Sequence, residues 1–249
     1  MKKYVVLFCA GLLGACAADV TVPQTTPEDL YTKALHSFEK TDYPAAAKYF
    51  DEVERQHPYS KWAPRAQIMA AYSFYKKNEY QDAVLTLDRF IQLHPGNKNT
   101  PYAYYLKGLC YFEQVSDITR EQKMSENAKR TFRDLLVRYP NSIYADDARA
   151  KLQILEDQLA GKEMAVGRYY EKQKDYFAAL NRFQTVVDQF AHTNQADEAY
   201  YRLAACYTAL GMTQAAQMTA LRQQALYPST KWMKMTQKLV KNTAQKKGK

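Results

Sequence analysis

The chain has 249 residues and a formal net charge of +9. Its eight glycines and nine prolines are too few for a turn-rich β protein, so long helices are expected. No segment beyond residue 16 approaches the ~20 successive apolar residues of a transmembrane helix, which argues against a multi-spanning membrane protein.

Residues 1–15 follow the order of a bacterial export signal. Lys2 and Lys3 precede the apolar stretch Tyr4–Leu13, which is about half as long as a membrane-spanning helix. The stretch ends in LLGAC, which resembles the lipobox of bacterial lipoproteins. That resemblance implies cleavage before Cys16 and acylation of its thiol and its new amine. A plain secretory signal followed by an accidental cysteine is the alternative.

The lipobox resemblance also implies where the mature protein is held. Residues 16–26 would form a lipid-attached linker, and several acyl chains would hold the protein firmly on a membrane surface. Lipoproteins of this type that stay in the inner membrane often carry Asp after the cysteine, whereas this chain has Ala17. The expected location is therefore the outer membrane, with the protein facing the periplasm.

A pattern of small and aromatic residues then recurs along the chain. The first small residue of the successive units is Ala34, Ala71, Gly108, Gly167 and Ala204. Three positions later stand Ser37, Phe74, Tyr111, Tyr170 and Tyr207. A second small residue follows at Ala46, Ala83, Ala128, Ala179 and Ala216, and twelve positions beyond it stand Pro58, Pro95, Pro140, Ala191 and Pro228. The pattern predicts helical hairpins, in which small residues let two helices approach, the aromatic residue fills the adjacent space, and proline ends the second helix.

This pattern resembles the tetratricopeptide repeat, whose period is 34 residues. It predicts an all-α superhelical solenoid of five hairpins, because one hairpin cannot bury its own apolar face. Helix starts are predicted at Thr26-Pro27 and Thr100-Pro101, each as an N-cap followed by proline in the first turn. The five repeats span roughly 27–60, 61–97, 98–141, 142–192 and 193–228.

Two insertions lengthen the middle of the array. Eight extra residues fall between Gly108 and Ala128, and fourteen follow Pro140. The second insertion contains no helix breaker, so DDARAKLQILEDQLAGKEMAVGRYYEKQ is predicted to form one helix of about seven turns.

No set of residues indicates catalysis. His57 and His94 precede prolines that end helices, where a C-terminal capping role explains them better than metal binding. Cys110 and Cys206 occupy equivalent positions two repeats apart, too far for a disulfide, and are expected to be free, packed thiols. We therefore expect neither an enzyme nor a bound metal or cofactor.

The positions that line the concave face of tetratricopeptide proteins are aromatic or apolar in the first three repeats. The predicted peptide groove consists of Tyr31, Leu35, Phe38, Tyr72, Tyr75, Tyr102, Tyr105 and Phe112, with Ile68 and Leu109 beside them. The equivalent positions of repeats four and five are smaller and more polar, namely Met164, Arg168, Glu171, Tyr201, Ala205 and Thr208. Exposed aromatic rings in a groove suit an extended apolar or aromatic peptide, although the same rings would also serve to pack one repeat on the next.

The net positive charge is concentrated at the C-terminal end, because no acidic residue follows Glu198. Residues 229–249 are predicted as a basic tail. Such a tail is either solvated and partly disordered or in contact with an anionic surface or an acidic partner. Nucleic acid is not expected as a partner of an exported protein.

Three stretches together connect the chain to one family of exported lipoproteins. They are YKKNEYQDAVLTLDRFIQLHPGNKNTPYAYYLKGL, FRDLLVRYPNSIYADDARAKL and YYEKQKDYFAALNRF. With the lipobox, they resemble the BamD/ComL family of the outer-membrane β-barrel assembly machinery. The resemblance covers most of the mature chain, and its most specific parts are DRFI…HP and YPNS.

The family resemblance implies a non-enzymatic scaffold with two binding regions. In that family, the N-terminal repeats receive the aromatic-ended C-terminal signal of unfolded barrel proteins. The C-terminal repeats dock a POTRA domain of the barrel subunit BamA, through an arginine that here corresponds to Arg182 of the pair Asn181-Arg182. The shorter insertion in repeat three and the basic tail differ from some relatives, which leaves contacts with accessory lipoproteins open. The alternatives are another lipoprotein scaffold, such as a pilotin for a secretin or pilus, and an activator of a cell-wall enzyme.

Overall fold

The computed structural model describes residues 25–115 and 122–247, and within these ranges the chain forms eleven helices and no strand. The helices are α1 (Pro27–Glu39), α2 (Tyr43–Gln56), α3 (Ala63–Lys76), α4 (Tyr80–Leu93), α5 (Thr100–Phe112), α6 (Gln122–Arg138), α7 (Ala145–Lys172), α8 (Tyr176–Gln189), α9 (Ala196–Ala209), α10 (Thr213–Leu226) and α11 (Lys231–Lys247). The first ten pair into five consecutive hairpins, which confirms the predicted all-α solenoid. Cys16 and much of the third-repeat insertion lie outside the described residues.

The second helix of each hairpin ends two residues before the predicted stop. Thus α2 ends at Gln56 and α4 at Leu93, just upstream of their prolines. Helix α8 ends at the equivalent place although alanine replaces proline there. Its end is held by Thr193, whose hydroxyl donates a hydrogen bond of 2.7 Å to the carbonyl of Phe190. A buried side-chain cap therefore ends this helix in place of a proline.

Four of the hairpin turns contain one residue in the left-handed region. These residues are Thr41, Asn78, Lys174 and Gly211, with φ of 60°, 63°, 63° and 75°. After this residue, a backbone amide donates a hydrogen bond to a carbonyl of the first helix. In repeat one, for example, the amide of Asp42 donates to the carbonyl of Ser37 at 3.0 Å. The same left-handed stop therefore ends α1, α3, α7 and α9.

Within the hairpins of repeats three and four, glycine in the first helix faces a phenylalanine ring of the second. A Cβ atom on Gly108 would clash with the ring of Phe132, and one on Gly167 would clash with Phe183. Both rings are fully buried. The prediction that the space beside each small residue is filled by the aromatic residue three positions later was therefore wrong here. The filling ring comes from the partner helix, four positions after its own small residue.

Buried side chains form three clusters along the solenoid. The first joins α1, α2 and α3, the second runs from α3 into α7, and the third runs from α7 to α9. Helix α7 has 28 residues, as predicted for the long insertion, and contributes Leu155 to the second cluster and Leu159 to the third. This single helix therefore couples the two halves of the molecule.

One of the two predicted helix caps is confirmed. The Thr26 hydroxyl accepts a hydrogen bond from the amide of Asp29 at 3.1 Å. Thr100 instead follows the N-cap residue Asn99, and its buried hydroxyl donates to the carbonyl of His94 at 2.7 Å. Thr100 therefore ties the start of α5 to the end of α4, and the prediction of an N-cap at this position was wrong.

The histidines and cysteines discussed in the sequence analysis lie at helix ends or in the core. His57 and His94 are the C-cap residues of α2 and α4, as predicted. Cys110 and Cys206 are free and buried, which also matches the prediction. Within the described ranges, no group of three or more histidine, cysteine, aspartate or glutamate side chains could hold a metal ion.

The segment expected to be a basic tail is mostly a helix. Helix α11 packs against α9 and α10, with the Trp232 ring 5.3 Å from that of Tyr201 and with Met233 and Thr236 buried. The disordered alternative for the tail was wrong over Lys231–Lys247. Lysine dominates the composition of this segment, but its apolar residues recur on one helical face and cap the last repeat.

Candidate peptide groove and docking surface

Aromatic side chains of the first two repeats form one end of the predicted groove. Phe38 of α1 lies 5.6 Å from Tyr72 of α3, and Tyr72 stacks on Tyr75 with 6.2 Å between ring centroids. Tyr75 in turn lies 5.9 Å from Tyr80 at the start of α4. All four rings are half-buried. Each ring therefore packs against its neighbours and still leaves part of its surface open.

The third repeat continues this set of rings across a repeat boundary. Tyr102 and Tyr105 of α5 both pack on Tyr144, with centroids 5.3 and 5.1 Å apart. The Tyr105 hydroxyl donates a hydrogen bond of 2.6 Å to Oδ2 of Asp147 in α7. Lys151, one turn further along α7, lies 5.1 Å from the centre of the Phe112 ring. We call Phe38, Tyr72, Tyr75, Tyr102, Tyr105, Phe112 and Tyr144 the aromatic row.

Two predicted groove residues, Tyr31 and Leu35, also pack against the core of repeat one. The ring of Tyr31 lies 5.3 Å from Phe50 and 4.8 Å from Trp62, and Leu35 packs on the same cluster. Both side chains are half-buried, so each keeps part of its surface open. Their main contacts nevertheless fix α1 against α2 and α3.

Three tyrosines of the row, Tyr75, Tyr102 and Tyr105, have a raised pKa. Burial, with a smaller contribution from Glu113, raises the pKa of Tyr75 to about 12. Burial also raises the pKa of Tyr102 and Tyr105 above the usual tyrosine range, and the hydrogen bond to Asp147 adds to the effect at Tyr105. Each of these three hydroxyls therefore remains protonated, and Tyr105 uses its one proton in the hydrogen bond to Asp147.

Repeats four and five present a charged surface in place of the aromatic row. Nη1 of Arg168 lies 3.1 Å from Glu198, and Arg202 pairs at 2.5 Å with both Glu171 and Glu198. The pairs Arg168–Glu198 and Arg202–Glu171 bridge α7 and α9, whereas Arg202–Glu198 lies within α9. Met164, which was expected to line the groove here, is fully buried, so that prediction was wrong. The two halves of the solenoid therefore offer different chemistry.

The predicted docking pair lies on the outer side of α8. Asn181 is exposed, and its carbonyl accepts a hydrogen bond of 3.0 Å from the Thr185 hydroxyl. Nη1 of Arg182 lies 3.2 Å from Oε2 of Glu163 in α7, with 45% of the arginine side chain exposed. Arg182 is therefore anchored inside the chain by one ion pair and still accessible to a partner.

Comparison with known proteins places the chain in a family. A family model described as outer membrane lipoprotein (YfiO) matches residues 23–222. The outer membrane protein assembly factor BamD of Caulobacter vibrioides is 40% identical over 232 residues, which are 91% of this chain and 76% of the relative. BamD of Rickettsia prowazekii is 38% identical over 236 residues, which are 93% of each chain. The chain belongs to the BamD family.

Membership of the BamD family confirms the resemblance found in the sequence and favours it over the pilotin and cell-wall alternatives. A solved tetratricopeptide protein of Bacteroides fragilis supports the fold alone, at 14% identity and a TM-score of 0.52, covering 88% of this chain and 99% of its own. In the described part of this BamD-family chain, no helix is both long enough and apolar enough to span a bilayer.

Sequence reasoning missed Tyr144, a member of the aromatic row, and Asp147, the hydrogen-bond partner of Tyr105. Tyr144 and Asp147 lie at the start of α7 and join the row only because the next repeat stacks on α5. The repeat pattern could have indicated this contact. It stacks the first helix of repeat four, which begins next to Tyr144 and includes Asp147, on the first helix of repeat three, which carries Tyr105.

Proposed function

We propose that the protein is a non-catalytic subunit of the machinery that assembles β-barrel proteins into the outer membrane. Family membership supports the role in assembly and the location at the outer membrane. In this proposal, repeats one to three bind the C-terminal segment of unfolded barrel proteins. Repeats four and five bind a POTRA domain of a BamA-like barrel subunit. The observation that supports peptide binding by repeats one to three is the aromatic row.

The aromatic row has the chemistry that an extended, aromatic-ended peptide requires. Half-buried rings offer faces and edges to an incoming aromatic side chain, and the pre-packed geometry limits the entropy lost on binding. The protonated hydroxyls of Tyr75 and Tyr102 can donate to peptide carbonyl groups. Lys151, beside Phe112 and 3.7 Å from Asp147, adds a cation that suits a terminal carboxylate.

Peptide binding tests this half of the proposal. The double variant Tyr72→Ala/Tyr105→Ala should weaken binding of a labelled C-terminal barrel peptide at least about tenfold in fluorescence anisotropy. Tyr169→Ala is the matched control, because Tyr169 is 61% exposed and lies at the far end of α7. Equal affinity of the double variant and the wild type would refute the groove assignment.

The proposal that repeats four and five bind a POTRA domain rests on Arg182. Variants of Arg182 and of its ion-pair partner Glu163 test it. Arg182→Glu should reduce co-purification of the barrel subunit, because a partner carboxylate would meet a like charge. Glu163→Gln removes the internal ion pair but leaves the arginine free, so docking should be retained. If both variants lose the partner equally, Arg182 only supports the packing of α7 on α8 and the docking proposal fails.

A further inference from the structure

Helix α11 presents a one-sided set of lysines to the solvent. Lys231, Lys234, Lys238 and Lys241 are spaced three, four and three residues apart, which places them on one face of the helix. All four are exposed, whereas Met233 and Thr236 on the opposite face are buried. We call these four residues the lysine stripe.

The lysine stripe has no compensating charge. Within the described ranges, none of its ammonium groups lies within ion-pair distance of a carboxylate, whereas Arg168, Arg182 and Arg202 all have such partners. Like charges three and four residues apart weaken a helix, and the first turn of α11 carries lysine without any acidic residue. The stripe therefore works against the helix that carries it, which points to a role outside the folded chain.

We propose that the lysine stripe binds a membrane surface that bears anionic phospholipid headgroups. The chain belongs to a family described as outer membrane lipoproteins, so the protein is expected to lie near a bilayer surface. Each ammonium near an anionic bilayer strengthens binding about fivefold, without any need for shape complementarity. The inference does not depend on what the aromatic row or Arg182 binds.

A protein partner fits the lysine stripe less well. Protein interfaces have an apolar centre and are depleted in lysine. Among the described side chains of α11, Met235 is the one large apolar side chain that is exposed, at 36%. A long-range electrostatic contact with a flat anionic surface matches this composition better.

The lysine stripe would complement the lipid anchor predicted at Cys16. An acyl anchor and a basic patch are two membrane signals that reinforce each other when they belong to the same molecule. They would act at opposite ends of the solenoid, the anchor before α1 and the stripe on α11. Each end of the chain would then have its own contact with the bilayer.

Lysine footprinting on the intact protein tests the inference. The protein is purified from membranes and reconstituted into vesicles of pure phosphatidylcholine or vesicles rich in phosphatidylglycerol, and lysine acetylation is then quantified by mass spectrometry. Stripe lysines should react several-fold more slowly in the anionic vesicles, and high salt should remove this protection. Lys98 and Lys172, which are exposed elsewhere, should react equally in both. Equal reactivity of the stripe in both vesicle types would overturn the proposal.

A charge-neutral variant provides the second measurement. A fluorophore on Asn242→Cys reports contact with the bilayer, because the native Cys110 and Cys206 are buried. Its response to anionic vesicles should be lost in K231Q/K234Q/K238Q/K241Q, whose helical circular dichroism should match the parent. A response that persists in this variant, or that requires an added acidic protein, would refute membrane binding by the stripe.

Discussion

A Cβ atom on Gly167 would lie 2.5 Å from Cε1 of Phe183, so the bare backbone of α7 is in contact with the flat side of a buried ring. The same arrangement joins Gly108 to Phe132 one repeat earlier. In both hairpins, the close approach of the two helices depends on the missing methyl group and on the ring that takes its place.

The first prediction concerns this glycine contact. Gly167→Ala should destabilise the protein by ~1–3 kcal/mol, because the added methyl group must displace a fully buried ring. Gly161→Ala is the matched control, since nothing lies within 4 Å of a Cβ at this position in the same helix. That control should gain ~0.5–1 kcal/mol from helix propensity. Urea unfolding measures both changes, and a Gly167→Ala variant as stable as the wild type would show that Phe183 moves aside freely.

A second prediction concerns the half-buried carboxyl group of Asp51 in α2. Burial, and then the neighbouring Glu54, raise the pKa of Asp51 from 3.8 to about 6, while Arg89 acts in the opposite direction. Because the folded-state pKa is the higher one, the contribution of Asp51 to stability is complete below about pH 4. It is lost as the pH rises through about 6.

Asp51→Asn should therefore stabilise the protein at pH 7 but not at pH 4. The gain should be at most ~1 kcal/mol, since solvent screens this partly exposed group. Urea unfolding at several pH values tests the prediction, and the difference between variant and wild type should appear between pH 4 and 7. A difference that does not depend on pH would contradict the proposed protonation.

The third prediction is that the two thiols within the described residues, Cys110 and Cys206, are inert in the folded protein. Burial raises the pKa of Cys110 and of Cys206 to about 12, so almost no thiolate is available near neutral pH. A thiol reagent should react with them only when the surrounding core opens. Because Cys110 lies in the second cluster and Cys206 in the third, the two rates report separately on the two halves. Rapid reaction of either thiol in the native protein would show that its cluster opens locally.

The sequence was sufficient for features that depend on local chemistry. Prolines after the second helices, the Thr26 cap and the unbroken run of α7 all follow from rules that act over a few residues. The half-buried aromatic rings of the first three repeats were also identified, because they recur with the repeat.

Features that arise from contacts between distant segments could not be predicted. Phe183 meets Gly167 across a hairpin, and Tyr144 reaches Tyr105 only when repeat four stacks on repeat three. Helix α11 was mistaken for a tail because its charge obscured the apolar face that packs on α9. The lysine-rich composition of α11 suggests a solvated segment. Its apolar side chains, however, recur every three or four residues, and this spacing determines that the helix packs on the last repeat.

The fourth prediction concerns Glu156, the one carboxylate that is buried among the described residues. Its side chain is 4% exposed and pairs with Arg133 of α6 and with His192 after α8, whose side chains are 49% and 50% exposed. Arg133→Met would leave the buried charge with one partner and should cost ~2–4 kcal/mol. Glu156→Gln removes the charge itself and leaves only solvated partners, so it should cost ~1 kcal/mol.

The double variant decides whether Glu156 acts through its charge. Arg133→Met should cost little once Glu156→Gln is present, because no buried carboxylate then remains to be neutralised. In a urea-unfolding double-mutant cycle, the double variant should therefore lose ~2–4 kcal/mol less stability than the sum of the two single losses. If the two effects simply add, the contact between α6 and α7 is held by packing, and the buried carboxylate is not what links repeat three to repeat four.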